Sequence, residues 1–234
     1  MVVLWDIDGT LVQSSLERHF FAYVREHHYR ISISRTVLHM LRLGLSSWPP
    51  MWHKMKLAYL RGLPAAEVSD LFERCWSERI ERCLFAGTIE AVRLLRERRV
   101  RQVLLTGGPR TLAARLARHL QLDDLVAADP VLVDERYTGA VTQPHPRGRR
   151  KVRFAETWLR DNGFGWRPTV AVGNHFDDRF LLERASTAIV VNPDRRLASL
   201  AQSRGWEQFD PRPIESGGRL AEHILAAARE TTVM

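Results

Sequence analysis

The chain begins with a short apolar segment that runs directly into two acids. Residues 2–5 are apolar and predict a short buried strand. Asp6 and Asp8 follow that strand with one residue between them, and Gly9 and Thr10 come next. Two carboxylates this close repel each other, which costs free energy unless a cation lies between them. The segment therefore predicts a buried strand that ends at a cation-binding site.

The order of predicted elements beyond residue 84 indicates the fold class. Strands predicted at 100–108, 169–173 and 187–191 alternate with helices. This alternation is typical of an α/β fold, in which a parallel sheet carries helices on both faces. The other elements predicted in this region are a hairpin at 131–134 and 137–142 and helices at 87–98, 109–120, 150–162 and 177–184.

Residues 14–83 differ from the rest of the chain, because they have helical periodicity and almost no strand signal. We therefore predict that a helical block is inserted after the first strand of a Rossmann-like core formed by residues 1–13 and 84–210. Residues 211–234 are predicted to form a polar linker and one last helix at about 218–229. Within the block, helices are predicted at 16–30, 34–45, 51–61 and 64–82.

The composition is that of a globular protein without a membrane span. Hydrophobic residues make up 45% of the chain and charged residues 26%, so it can bury a core. No apolar run reaches the roughly 18 residues of a transmembrane helix, and Asp6 comes too early for a signal peptide. Cys75 and Cys83 match neither a zinc pattern nor a disulfide framework. We therefore expect a cytoplasmic protein in a reducing compartment, with both cysteines used for packing.

The chain is basic, with a net charge of +8. A solvated, arginine-rich surface is the favoured interpretation, and an anionic partner is the alternative. No signature of a nucleic-acid-binding module is present, so no nucleic-acid partner is predicted. Residues 37–60 carry Met, Trp and Leu among Arg and Lys, which favours packing within the helical block over peripheral contact with a membrane. The sequence makes no prediction of an oligomeric state.

Polar residues follow three of the predicted strands, and a lysine opens a predicted helix. Ligands of open α/β sheets bind just beyond the carboxyl ends of the strands, so these groups are expected to meet there. Closely spaced oxygen ligands select a hard cation such as Mg²⁺, whereas a hydroxyl, glycine amides and an ammonium group suit phosphate oxygens. One carboxylate can act as a nucleophile and another can shuttle a proton. The set comprises Asp6, Asp8, Thr106, Gly107, Gly108, Lys151, Asn174, Asp177 and Asp178.

These residues lie in four motifs that resemble, in order, those of the haloacid dehalogenase-like (HAD) superfamily. The segment DIDGTL resembles its first motif, VLLTGG its second, Lys151 its third and VAVGNHFDDRFLL its fourth. The segments YTG at 137–139 and VVNPDRRLASLAQSRGW at 190–206 resemble the phosphoserine-phosphatase-like subfamily, subfamily IB. The resemblance covers residues 1 to about 210. It implies a phosphatase with a Rossmann-like core, in which residues 14–83 form a helical cap domain.

The resemblance also implies a role for each matching residue. Asp6 would be the nucleophile and a Mg²⁺ ligand. Asp8 would be the general acid and base, and its backbone carbonyl would bind the metal. Asn174 and Asp178 would complete the metal site, and Lys151 would neutralise charge on the nucleophile and the phosphate. The phosphoryl group would be bound by Thr106, Gly107 and Gly108 as well as by Lys151.

Two positions depart from the pattern of the family. Asn174 stands where the fourth motif usually has an acid, so the metal site loses one negative charge, and Asp177 is a candidate to replace it. Ser15 stands where phosphoserine phosphatases have the glutamate that recognises the serine amine, and Glu17 is out of register. Phosphoserine itself is therefore not the favoured substrate. Other candidate substrate contacts are Glu17 and His175.

The function that this sequence predicts is Mg²⁺-dependent hydrolysis of a small phosphorylated metabolite through an aspartyl-phosphate. The presence of Asp8 favours phosphoryl transfer, because the dehalogenases of the superfamily lack that second acid. Two alternatives stay open at this point. One is a catalytically weakened phosphate-binding or regulatory protein, with Asn174 as the cause. The other is a phosphotransferase, which would pass the phosphoryl group to an alcohol.

Overall fold

A computed structural model describes residues 1–27, 57–122, 124–143 and 145–233. Its main feature is a six-stranded, fully parallel sheet in the order β3-β2-β1-β6-β7-β8. The strands are β1 (Val2–Trp5), β2 (Arg101–Pro109), β3 (Asp124–Ala128), β6 (Thr169–Gly173), β7 (Thr187–Val191) and β8 (Glu207–Phe209). The predicted α/β class is confirmed.

Strand β1 lies at the centre of the sheet, between β2 and β6. Its last residue, Trp5, pairs with Leu104 of β2 and with Val172 of β6. The backbone N–H of Asp6 then donates to the carbonyl of Val172 over 2.9 Å. The residues that follow β1 are therefore placed between the ends of the two neighbouring strands.

Helices cover both faces of the sheet, as the continuous apolar run of β1 requires. Val2 and Leu4 pack on one side, with α5 (Arg149–Asp161), α6 (Arg179–Arg184) and α7 (Arg195–Arg204). Val3 and Trp5 pack on the other side, in a larger cluster. The helices of that cluster are α1 (Leu16–His27), α2 (Ala65–Cys75), α3 (Ala86–Glu97), α4 (Arg110–Leu120) and α8 (Glu215–Val233).

The described part of residues 14–83 is helical, and the predicted helix at 64–82 is confirmed. It consists of α2, a π-helical turn (Trp76–Ile80) and a 3₁₀ turn (Glu81–Cys83). The helix predicted at 16–30 is described as far as residue 27. The helix predicted at 34–45 lies outside the described residues, and of the one predicted at 51–61 only a 3₁₀ turn (Ala58–Leu60) is described. The division into core and cap stays a prediction.

A two-stranded antiparallel hairpin stands apart from the main sheet. It consists of β4 (Pro130–Val133) and β5 (Arg136–Val141), as predicted. Backbone hydrogen bonds join it to the helical block, because the N–H of Gly62 donates to Tyr137 over 2.8 Å and that of Tyr137 donates to Leu63 over 3.0 Å. The hairpin therefore connects the helical block to the sheet-bearing part of the chain.

The C-terminal elements differ from the prediction. Helix α7 and strand β8 were not predicted as elements, although their sequence contributed to the family resemblance. The predicted C-terminal helix, α8, is confirmed, but it begins at Glu215, about one turn earlier than predicted. The helix packs on α3, and Pro211, which precedes it, accepts a backbone hydrogen bond from Gly87 over 2.8 Å. Among the described helices, none is both long and apolar enough to cross a bilayer.

Candidate active site

Asp6 is a buried carboxylate that is held by its neighbours on both oxygens. The residue as a whole is only 7% exposed. The Thr10 hydroxyl donates to Oδ2 over 3.1 Å, and the Lys151 ammonium donates to Oδ1 in a very short contact. Sequence reasoning did not single out Thr10, although it belongs to the DIDGTL motif. The structure shows that it orients the Asp6 carboxylate.

Lys151 links the first motif to the fourth. It lies in the first turn of α5, is 3% exposed, and donates from Nζ to Oδ1 of Asp178 over 2.7 Å. The other oxygen of Asp178 accepts the backbone N–H groups of His175 at 3.1 Å and Asn174 at 3.3 Å. One oxygen of Asp178 therefore holds Lys151, and the other holds the loop at residues 174–175.

The charges in this cluster are coupled. Burial raises the pKa of Asp6 to about 7, although the nearby Lys151 ammonium opposes that rise, and Asp178 adds to it. Burial by itself would lower the pKa of Lys151, but the charges of Asp178 and Asp6 outweigh it and hold the pKa of Lys151 above its usual value. Lys151 therefore keeps its proton and neutralises part of the negative charge.

Asp8 faces the helical block. Its Oδ1 accepts the backbone N–H of Leu16, the first residue of α1, over 3.1 Å. A carboxylate at a helix N-terminus interacts favourably with the unpaired N–H groups there. The orientation of Asp8 is therefore tied to the position of α1. Asp8 itself lies two residues after Asp6.

The second motif approaches the loop that precedes Lys151. Thr106 is buried, and its hydroxyl oxygen accepts the N–H of Gly108 over 3.0 Å. A Cβ on Gly107 would lie 3.2 Å from the carbonyl oxygen of Pro146 and 3.9 Å from Cβ of Arg147. Gly107 thus permits a close approach of the two loops, and the second and third motifs lie side by side.

Asn174 carries an oxygen that the described part of the chain leaves without a hydrogen bond. Its Oδ1 is buried and has no partner there, which for a buried polar atom indicates an absent ligand or water. The side chain packs on Gly9, where a Cβ would lie 2.9 Å from Cγ of Asn174. The same Cβ would lie 2.1 Å from Nδ2 and 3.3 Å from Oδ1. Because Gly9 follows Asp8, the Asn174 carboxamide lies against the turn of the first motif, with its nitrogen nearest to Gly9.

The donor types in this region fit a hard cation such as Mg²⁺. They are the carboxylates of Asp6 and Asp178, the backbone carbonyl of Asp8 and the amide oxygen of Asn174, all of which are oxygen donors. Within the described ranges, no group of three or more His, Cys, Asp or Glu side chains is arranged to bind a metal. The fit to a cation therefore rests on the chemical type of these four donors.

Asp177 does not replace the missing acid. Its carboxylate accepts a hydrogen bond from Nε of Arg147 over 2.6 Å. Partial burial would raise its pKa, but the Arg147 guanidinium outweighs burial and holds the pKa of Asp177 below its usual range. The carboxylate is therefore an ion-pair partner of Arg147, which does not favour Asp177 as the candidate to compensate for Asn174.

The side chains of His175 and Ser15 make local hydrogen bonds that cap the start of a turn or helix. Nδ1 of His175 accepts the N–H of Asp177 over 3.1 Å, which caps the turn that leads to Asp178. Oγ of Ser15 accepts the N–H of Arg18 over 3.1 Å at the start of α1.

Cys75 is buried, and burial raises the pKa of its thiol to about 12, so it packs as predicted.

The sequence profile of the haloacid dehalogenase-like hydrolases matches residues 3–183. The chain belongs to that family. Within that family, its relatives include proteins named as phosphoserine phosphatases. Phosphoserine phosphatase SerB1 of Mycobacterium tuberculosis strain H37Rv is 28% identical over 223 residues, which cover 92% of this chain and 72% of that protein. A phosphoserine phosphatase of Archaeoglobus fulgidus is 26% identical, with 86% of this chain and 55% of that protein covered.

Solved structures show the same fold. A Bordetella pertussis protein of unknown function superposes with a TM-score of 0.78 at 23% identity, covering 90% of this chain and 98% of that one. A substrate-bound phosphoserine phosphatase superposes with a TM-score of 0.62 at 19% identity, covering 92% of this chain and 94% of that one. At these identities the likeness establishes the fold, and the site must be argued from its own residues.

Proposed function

We propose that this chain is a Mg²⁺-dependent phosphomonoester hydrolase that acts on a small phosphorylated metabolite through an aspartyl-phosphate on Asp6. The observation that carries the proposal is the buried cluster in which Lys151 contacts both Asp6 and Asp178. The unpaired oxygen of Asn174 supplies a further donor for a cation at the same strand ends. The phosphoserine phosphatases among its relatives favour the same reaction class.

Asp6 is the nucleophile in this proposal. One carboxylate oxygen attacks phosphorus, and the bond between phosphorus and the ester oxygen breaks. Thr10 and Lys151 fix the orientation of the carboxylate before attack. Lys151, Thr106 and the amides of Gly107 and Gly108 are proposed to bind the phosphoryl oxygens. Mg²⁺, when bound, supplies the positive charge that lets an anionic nucleophile approach an anionic phosphate.

Asp8 is the proton carrier. It donates a proton to the leaving alkoxide, and then accepts one from the water that attacks phosphorus, which releases phosphate and restores Asp6. Because Oδ1 of Asp8 accepts the N–H of Leu16, a movement of α1 would change the position of this acid. If the cap opens and closes over the site, as we propose, that movement would be coupled to the proton transfer.

The substrate is proposed to be a phosphomonoester other than phosphoserine. Ser15 caps α1 at the position where an amine-binding glutamate would be needed for phosphoserine.

We also propose a cytoplasmic location. Among the residues that the structure describes, both cysteines are free thiols, which is compatible with that location.

The test is phosphate release from p-nitrophenyl phosphate and from a panel of phosphorylated metabolites, with and without Mg²⁺. The chain is compared with Asp6→Asn and with Asp161→Asn, a control at the exposed end of α5 where the acid pairs with Arg160. We expect Mg²⁺-dependent turnover that Asp6→Asn abolishes and Asp161→Asn retains. Turnover that survives in Asp6→Asn would contradict the proposal.

Asn174 favours one competing function, a phosphate-binding protein with weakened catalysis. It removes a negative charge from the metal site, which lowers the attraction for a cation. Titration calorimetry with inorganic phosphate, in parallel with the activity panel, distinguishes the two. Phosphate binding without turnover of any substrate in the panel, in the presence of Mg²⁺, would favour the binding protein.

A further inference from the structure

The segment Asn192–Asp194 lies between β7 and α7, at the same edge of the sheet as the candidate site. In the sequence it contributed only to the resemblance with the subfamily, and no role was predicted for it. Its two polar side chains each contact a different motif of the site. The segment is therefore placed to fix one motif relative to the other.

Asn192 contacts the turn of the first motif. Its Nδ2 donates to the backbone carbonyl of Gly9 over 3.3 Å. Gly9 has a φ of +84°, which only glycine adopts freely, and it joins Asp8 to Thr10. Asn192 therefore supports, from the side of β7, the turn that orients the proposed proton carrier and the residue that holds the nucleophile.

Asp194 contacts the loop of the fourth motif through two hydrogen bonds. Its backbone N–H donates to the carbonyl of Asn174 over 3.0 Å. Its Oδ2 accepts the N–H of Phe176 over 2.6 Å. Its other oxygen, Oδ1, caps α7 by accepting the N–H groups of Arg196 and Leu197, both at 2.9 Å. One carboxylate thus joins the loop that carries Asn174 to the start of a helix.

The backbone of Asn192 allows this contact to be tested cleanly. Its φ is +45°, in the left-handed region that non-glycine residues seldom occupy. Glycine would adopt this conformation with less strain, but it would remove the hydrogen bond to Gly9. The contact between the amide and the Gly9 turn can therefore be removed by a substitution to glycine without straining the backbone of residue 192.

We propose that Asn192 and Asp194 are positioning residues, which hold the Gly9 turn and the Asn174 loop in the relative arrangement needed for metal binding and phosphoryl transfer. The inference rests on the proposed function. Neither residue is proposed to touch the substrate. Because Asn174 and Gly9 are in close contact, a shift of either segment would displace the amide oxygen of Asn174 from the backbone of the first motif.

Asn192→Gly tests the first contact. Glycine keeps the left-handed backbone and deletes only the carboxamide, so the variant is expected to fold, with a modest loss of stability from the missing hydrogen bond and the more flexible unfolded chain. The matched control is Gln121→Gly, because Gln121 also has a left-handed backbone, with a φ of +54°, but lies at the end of α4. We expect Asn192→Gly to lower kcat about fivefold with KM unchanged, the effect of one hydrogen bond of ordinary strength. Gln121→Gly is expected to leave both constants unchanged.

Asp194→Asn tests the second contact without removing the helix cap. Asparagine is as good an N-cap residue as aspartate, so its oxygen can still accept the N–H groups at the start of α7. The carboxamide has only one acceptor oxygen, and Phe176 loses its partner. We expect kcat to fall in this variant as well, and the Mg²⁺ concentration that half-activates the enzyme to rise about fivefold.

A readout without substrate separates positioning from catalysis. The melting temperature is measured as a function of Mg²⁺ concentration, which reports binding of the metal to the folded chain. Higher Mg²⁺ midpoints in Asn192→Gly and Asp194→Asn, but not in Gln121→Gly, would support the proposal. Unchanged midpoints would overturn it, as would a lower melting temperature in both variants with kcat unaltered, because that result describes a purely structural role.

The same series distinguishes failure of this inference from failure of the proposed function. If the chain binds Mg²⁺ with midpoints that shift in the two variants, but shows no hydrolysis that depends on Asp6, the proposed function fails and the positioning role stands. If the unsubstituted chain shows no stabilisation by Mg²⁺, the positioning role is overturned, because Asn174 would then have no metal to be positioned for.

Discussion

Asn174 is the residue at which this site departs most from a charged metal centre. Its oxygen is buried and unpaired within the described structure, and the nearby Asp177 is bound to Arg147. A carboxamide oxygen can coordinate Mg²⁺ but contributes no charge. The departure thus concerns how tightly the proposed metal would be held, and leaves the proposed nucleophile Asp6 and its partner Lys151 in place.

Asn174→Asp is expected to strengthen Mg²⁺ binding. The added negative charge attracts the cation, and we expect the Mg²⁺ concentration for half-activation to fall about tenfold. The same charge repels the nearby carboxylates, so the metal-free variant should melt at a lower temperature than the unsubstituted chain. The measurement is thermal melting and activity across a Mg²⁺ titration. The control is Asp177→Asn, which removes the nearby charge that pairs with Arg147. A tenfold change in the Mg²⁺ concentration for half-activation in this control, and not in Asn174→Asp, would contradict the assignment of Asn174 to the metal.

Lys151 is the residue on which the metal-free cluster depends most. Replacing it with methionine leaves two buried carboxylates without their cation, which should destabilise the fold by about 3–5 kcal/mol. We expect hydrolysis to be lost as well. The control is Arg150→Met on the same turn of α5, since Arg150 is exposed. Unfolding by urea at pH 7, without Mg²⁺, measures the difference.

The pH dependence of Lys151→Met has a defined sign. Burial raises the pKa of Asp6 to about 7 even with the lysine present. A carboxyl group with a raised folded-state pKa is most favourable to the fold when protonated, and that contribution is lost as pH rises through the folded-state pKa. The destabilisation caused by Lys151→Met should therefore be smallest near pH 5 and should increase above pH 7. A loss of stability that is independent of pH would exclude the carboxylates as its cause.

At the scale of elements, the start of α1 connects the helical block to the candidate site. Leu16 donates its N–H to Asp8, and one turn later Phe20 and Phe21 make edge-to-face contacts with Tyr59, at centroid distances of 6.4 and 5.3 Å. Helix α1 thus joins a site residue at its first turn to the interior of the block at its second. A change of packing at Tyr59 would be transmitted through one short helix.

Tyr59→Phe is expected to stabilise the protein. The Tyr59 hydroxyl is buried and has no hydrogen-bond partner among the residues that the structure describes, so removing it relieves a desolvation cost of about 1 kcal/mol while keeping the ring contacts. Tyr23→Phe is the matched control, because the Tyr23 hydroxyl donates to Glu78 over 3.1 Å and its loss should destabilise. Melting temperatures of the two variants are expected to move in opposite directions. A decrease for Tyr59→Phe would show that its hydroxyl has a partner.

At the scale of the whole molecule, the arrangement of the sheet and the meeting of the motifs at its carboxyl edge were predictable. The strand residues are apolar, and the first, second and fourth motifs each follow one, so the rule for parallel sheets brings Asp6, Thr106 and Asp178 to one edge. Lys151 was expected there because it opens the next helix. The orientation of Asp177 was not predictable, because an acid beside another acid can face the site or an arginine such as Arg147 elsewhere in the chain. Only tertiary contacts decide between these.

Two further features needed the structure for a related reason. The roles of Asn192 and Asp194 depend on hydrogen bonds to segments that are distant in sequence, which no local pattern reveals. The start of α8 was placed too late because Gly217 and Gly218 weaken the helical signal. The two glycines have different surroundings: Gly217 lies against α3, whereas Gly218 has open space beside it.

Gly217 allows α8 to approach α3 closely, and this sets the last test. A Cβ at Gly217 would lie 2.5 Å from the carbonyl oxygen of Gly87 and 2.7 Å from Cβ of Glu90, whereas a Cβ at Gly218 would meet nothing within 4 Å. Gly217→Ala must therefore separate the helices and should destabilise the protein by about 1–3 kcal/mol. Gly218→Ala, one residue along the same helix, should stabilise it by about 0.5–1 kcal/mol, because alanine is the better helix former. Urea unfolding compares the two. Equal changes in the free energy of unfolding for the two variants would show that α8 does not pack on α3 through Gly217.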